Sequence, residues 1–146
     1  MPLTDLSPGE MFVVYNPTTG TIEHSHLYPF LAADAQYDID AGKGVLQVQA
    51  VDVRSYYVTG DSITARPAMA PVWQDGKASV ACDSVDACVL TNIPQGSAIR
   101  LDGATQTLDS GTSYTFTAST PGTFQITIER FPYFVWYGSY TAVVTA

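Results

Sequence analysis

Apolar residues along this chain come in short runs of Val, Ile, Tyr, Phe and Thr, separated by clusters of Gly, Pro, Asn and Asp. That is the pattern of short strands joined by tight turns. Residues 11–16 form a predicted strand and residues 21–27 its return. Between them Pro17-Thr18-Thr19-Gly20 reads as a turn, because Pro presets φ and Gly accepts a positive one. Helical periodicity is scarce. The one candidate spans residues 28–36, with Pro29 near a first turn. Residues 38–44 read as a polar loop. Residues 45–50 read as a strand, apolar at Val45, Val48 and Ala50, although Leu46 and Gln47 blur the alternation. Residues 55–59 and 62–66 form a second predicted hairpin with Gly60-Asp61 at its tip. The first part of the chain is thus expected to be two hairpins with a short connection.

Arg66-Pro67-Ala68-Met69-Ala70-Pro71 breaks this pattern, since prolines deny ladder hydrogen bonds and stiffen the chain. The expected units are residues 1–70 and 71–146. In the second, strands are predicted at 78–82, 88–91, 97–101, 104–108, 113–118, 123–130 and 140–145. Asp102-Gly103 is a strong two-residue hairpin signal. Tyr114 and Phe116 alternate toward a core, as do Phe124, Ile126 and Ile128. Short strands at this even spacing point to a small immunoglobulin-like sandwich. The expected fold is therefore all-β: a small N-terminal β-hairpin unit followed by an immunoglobulin-like β-sandwich.

Charge narrows the range of partners. The net charge is −8, and the six basic residues are scattered singly. Phosphate backbones and anionic membranes are bound by clustered Lys and Arg, so neither is an expected partner. Charged residues make up 14% of the chain, against roughly 25% in an ordinary globular protein. A low share accompanies surface that meets other protein, or simply a Ser- and Thr-rich β protein. No run approaches the ~18 apolar residues of a membrane span. The first ten residues have neither a basic segment nor an apolar one, so the expectation is synthesis in a cytoplasm without a secretory signal.

Few residues suggest chemistry. There is no glycine-rich phosphate loop, nucleophile elbow or zinc signature, so no catalytic residue, cofactor or metal is assigned. His24 and His26, two apart on a predicted strand, share a face and can hold a metal if a carboxylate joins them. The sequence identifies no third ligand, and solvent-facing strand histidines are the plainer reading. Asp38-x-Asp40-x-Gly42 resembles the opening of a calcium loop, but Lys43 follows and no closing acid is in place. An ordinary turn is expected there. Cys82 and Cys88 fit a short hairpin that a disulfide can span, with two reduced thiols the expected state in a cytoplasm.

The most unusual stretch is residues 131–140, which carries Phe131, Tyr133, Phe134, Trp136, Tyr137 and Tyr140. Pro132 bars this stretch from being a regular central strand. Rings in such a segment can plug the end of a sandwich, anchor a protein interface, or form a platform for sugar. These six are the candidate interface residues.

Met11-Phe12-Val13-Val14-Tyr15-Asn16-Pro17-Thr18-Thr19-Gly20-Thr21-Ile22 resembles the hairpin that opens small structural proteins of tailed bacteriophages. Tyr56-Tyr57-Val58-Thr59-Gly60-Asp61 followed by Arg66-Pro67 is similar to their second hairpin and its exit. Pro121-Gly122-Thr123-Phe124 and Phe131-Pro132-Tyr133 resemble their later turns. The segment from His26 to Gln36 departs from the pattern, being richer in aromatics and poorer in charge. The resemblance implies a non-enzymatic virion component, a part or adaptor of a tail fibre or appendage. Other virion proteins and symmetric copies of the chain are the implied partners. A head decoration protein and a carbohydrate-binding module that touches host glycans near Trp136 and Tyr137 are the alternatives.

Overall fold

The computed structural model describes residues 3–101, 104–107 and 111–144, with 104–107 described by backbone alone. The chain divides into two compact units, residues 1–66 and 67–146. The division falls ahead of the expected boundary at residue 70 because the proline segment belongs to the second unit. There Met69 enters the core, the Pro67 carbonyl accepts from the Phe134 amide, and the Ala70 carbonyl accepts from Asn92 Nδ2.

The first unit is built on β1 (Glu10–Tyr15), which lies between β2 (Ile22–Leu27) and β3 (Gly44–Gln49) and is antiparallel to both. Met11, Phe12, Val13 and Val14 are all buried, because both faces of this sheet are covered. On one face Phe12 packs with Ala35 of the helix α1 (Ala32–Asp40), joined by Leu6, Phe30 and Val45. On the other, Met11 and Val13 pack with Val58 and Ile63 of the hairpin β4 (Tyr56–Thr59) and β5 (Ser62–Ala65). This explains the blurred alternation in β3. Leu46 pairs with Val13 and faces the hairpin, while Val45 pairs with Val14 and faces the helix.

Two expectations change here. The helix is displaced from 28–36 to Ala32–Asp40, so the expected polar loop at 38–44 is partly helical. Its start is set from outside the segment: Leu31 provides no side-chain cap, and Asp5 Oδ1 accepts from the Ala32 amide at 2.8 Å. The helix stops at Asp40, and Gly42 just beyond it has a φ of +86°, the left-handed conformation that glycine permits. The unit is accordingly a three-stranded sheet with a helix on one face and a hairpin on the other, rather than two linked hairpins.

Among the described residues the second unit has eight strands: β6 (Val72–Trp73), β7 (Ser79–Ala81), β8 (Cys88–Thr91), β9 (Ala98–Leu101), β10 (Ala104–Thr107), β11 (Tyr114–Phe116), β12 (Gly122–Glu129) and β13 (Trp136–Val143). They form a five-stranded sheet in the order β10-β9-β12-β13-β7 and a three-stranded sheet in the order β11-β8-β6. Both sheets contribute to one core that contains Val80, Leu90, Ile99, Phe116, Ile126, Ile128 and Tyr140. The fold is all-β in character, with one short α-helix among the described residues. The alternation read in β11 and β12 holds: Phe116, Ile126 and Ile128 are buried, with Tyr114 and Phe124 packed against them. The Asp102-Gly103 turn lies outside the described residues.

Strand β6 had no sequence signal, being two residues held by pairing with β8. Cys82 and Cys88 do not face each other across a hairpin. The chain passes from β7 in one sheet to β8 in the other between them, and both thiols are free. Cys88 sits in the core, where burial pushes its thiol pKa up.

Candidate functional site

The structure divides the aromatic stretch rather than keeping it together. Pro132 stays in a turn, and strand β13 begins at Trp136, between β12 and β7. The second half of the stretch is therefore regular central strand. Along it, side chains alternate between faces. Tyr140 points inward, is 2% exposed, stacks on Phe124 and donates its hydroxyl to the Thr117 carbonyl oxygen. It is a core residue, not an interface residue. Trp136 and Tyr133 pack half-buried against the same core, with the Trp136 ring lying over Gly138, where a Cβ would collide with it. Adjacent residues of a strand face opposite ways, so Trp136 and Tyr137 do not form a common platform.

The outward members are Phe131, Phe134 and Tyr137, exposed by 39%, 39% and 75%. Tyr137 lies opposite Thr127, whose other neighbour across the sheet is Arg100. Arg100 pairs with Glu129 at 3.2 Å, so a Tyr on this outer face borders Thr and one ion pair.

The second constellation lies in the first unit. His24 and His26 pair with Val14 and Phe12 across β2 and β1, which puts both rings on the sheet face that α1 crosses. Ala35 anchors the helix on Phe12, and Asp38 follows it by one turn. Its carboxylate meets both histidines, with Oδ1 3.3 Å from His24 Nε2 and Oδ2 3.1 Å from His26 Nε2. The His26 ring stacks flat on Phe30, 4.0 Å between centroids and 5° from parallel, and His24 stands edge-on to it at 5.0 Å. Phe30 in turn meets Phe12 edge-on.

The carboxylate that meets the histidine pair is thus Asp38, which the sequence placed in an ordinary turn. Its helical position was the missing signal. Asp38 and Asp40 lie on α1, so the calcium-loop geometry is not formed there. An open cleft of about 660 Å³ runs by Leu3, Tyr15, Leu46 and Asp61, along β3 rather than β2. Among the described residues, no helix is long and apolar enough to cross a membrane. Compared with known proteins, the chain matches no family model, no curated protein and no solved structure.

Proposed function

We propose that this chain is a non-enzymatic assembly protein that acts by docking on other protein surfaces. The observation that carries this reading is the outward display of Phe131, Phe134 and Tyr137 on the second unit. Tyr and Phe rings held by strand and turn lose little entropy on binding and are favoured as interface anchors. The low share of charged residues supports the same reading. The finer version is a structural component of a bacteriophage particle, a part or adaptor of a tail fibre, made in the host cytoplasm. It rests on the resemblance of the two hairpins and later turns to phage structural proteins. On this reading the second unit is an immunoglobulin-like module, and repeated copies around a symmetry axis multiply weak contacts into firm attachment. A head decoration protein uses the same physics with a different stoichiometry.

Light scattering behind a sizing column, at several concentrations, tests the assembly reading. A discrete trimer or hexamer that F134A/Y137A reduces to monomer supports it. A monomer at every concentration that also fails to co-sediment with phage particles overturns it.

A further inference from the structure

We propose that His24, His26 and Asp38 form a binding site for one divalent transition-metal ion of the zinc class, which fastens α1 to the edge strand β2. The ligating atoms of the three side chains all lie within 4.8 Å of one another. Zinc bonds to imidazole nitrogen and carboxylate oxygen are about 2.0–2.2 Å long, so neighbouring donors in a tetrahedral or octahedral shell stand roughly 3.0–3.5 Å apart. The observed separations, 3.3 Å from His24 Nε2 to Asp38 Oδ1 and 3.1 Å from His26 Nε2 to Asp38 Oδ2, fall in that window, with the carboxylate turning one oxygen to each histidine. Both histidines present the same nitrogen, Nε2, to the carboxylate.

The site is built before any ion arrives. Phe30 holds the plane of His26, and the Phe12–Ala35 contact sets the height of the helix that carries Asp38. Little ordering entropy therefore opposes chelation. The His24 side chain is 47% exposed, which leaves an open side for water to complete the shell. Two imidazoles with one carboxylate form a borderline donor set that favours Zn²⁺, Ni²⁺, Co²⁺ or Cu²⁺ over Mg²⁺ and Ca²⁺. The net charge of −8 raises the local concentration of cations. Without an ion, His26 Nε2 hydrogen-bonds Asp38 Oδ2 at 3.1 Å, while His24 Nε2 stays 3.3 Å from Asp38 Oδ1.

The test is calorimetric titration of the full chain, stripped with chelator, with ZnCl₂ and separately with MgCl₂. Zinc is expected to bind at one equivalent, magnesium not at all. His24→Ala and Asp38→Asn should each weaken zinc binding by at least about tenfold. His24 is half exposed, so His24→Ala is expected to keep the far-UV circular dichroism spectrum and remain interpretable. Zinc should also raise the melting temperature of the native chain and leave that of His24→Ala unmoved. Absence of stoichiometric binding overturns the proposal. So does binding to both variants as tight as to the native chain, which would place the ion elsewhere, at the half-buried Cys82 for example.

Discussion

The Tyr140 hydroxyl donates to the Thr117 carbonyl oxygen at 3.0 Å, and this bond joins the two sheets of the second unit. Tyr140 belongs to β13 in the five-stranded sheet, whereas Thr117 directly follows β11 in the three-stranded one. Tyr140→Phe keeps the ring stacked on Phe124 and removes only the bond. The expected loss is about 0.5–1.5 kcal/mol. It should lie toward the lower end, because Thr117 is at the surface and water can replace the donor. Both tryptophans, Trp73 and Trp136, are in this unit, so urea unfolding followed by tryptophan fluorescence reads the effect directly. An unchanged midpoint would show that the hydroxyl adds nothing.

Gly20 closes the β1–β2 turn at a φ of +81°, and its carbonyl accepts from the Val58 amide at 2.8 Å. A Cβ there would overlap the Val58 carbonyl oxygen, whereas at Gly42, also at positive φ, it would meet open space. Gly42→Ala should therefore cost only the left-handed backbone penalty, about 1–2 kcal/mol. Gly20→Ala should cost more, because β4 has to move away from the turn. The first unit has no tryptophan, so far-UV circular dichroism during urea unfolding is the suitable probe. Equal costs at the two glycines would refute the close approach.

Asp5 caps a helix that begins 27 residues later, through the Ala32 amide. Asp5→Ala leaves that amide without its carboxylate acceptor and removes a negative charge from the helix N-terminus. A loss of about 1 kcal/mol is expected in the first unit. Asp5→Asn, which keeps an acceptor oxygen, should recover most of it. Denaturant midpoints of the two variants check this.

Asp86 accepts from the Lys77 ammonium at 2.6 Å and from the Ala81 amide at 2.8 Å, and the lysine holds its pKa below the ordinary value. Asp83 is lowered by the Asp86 and Val85 amides that it accepts from. A carboxylate whose folded pKa is depressed binds fewer protons than its unfolded counterpart. Its contribution is present above the ordinary Asp value of about 3.9 and is lost as pH falls through the lower folded value. Stability of the second unit should therefore drop below about pH 4. Asp86→Ala should be less stable at neutral pH and show a shallower acid decline. Fluorescence-detected urea midpoints between neutral pH and pH 3 measure both.

Strand positions and most turns were legible in the sequence because they depend on neighbours. Alternating apolar residues put Phe116, Ile126 and Ile128 on one face whatever the sheet contains, and Pro17-Thr18-Thr19-Gly20 turns on its own chemistry, helped by Asn16 Oδ1 accepting from the Thr18 amide. The exposed ring of Tyr137 and the buried one of Tyr140 differ by strand parity alone. That parity went unread because Pro132 suggested irregular chain where a strand begins four residues later.

What the tertiary structure decided is everything that joins distant residues. The start of α1 depends on Asp5, the separation of Cys82 from Cys88 depends on which sheet each strand enters, and the two-sided burial of β1 depends on a helix and a hairpin from later in the chain. The meeting of Asp38 with His24 and His26 is of the same kind. The histidine pair was visible as a two-residue period on a strand. Its carboxylate lay 12 residues beyond His26, on a helix whose register is fixed by Ala35 packing on Phe12. Local periodicity states which way a side chain points, but only the closing of the chain on its core states what it meets.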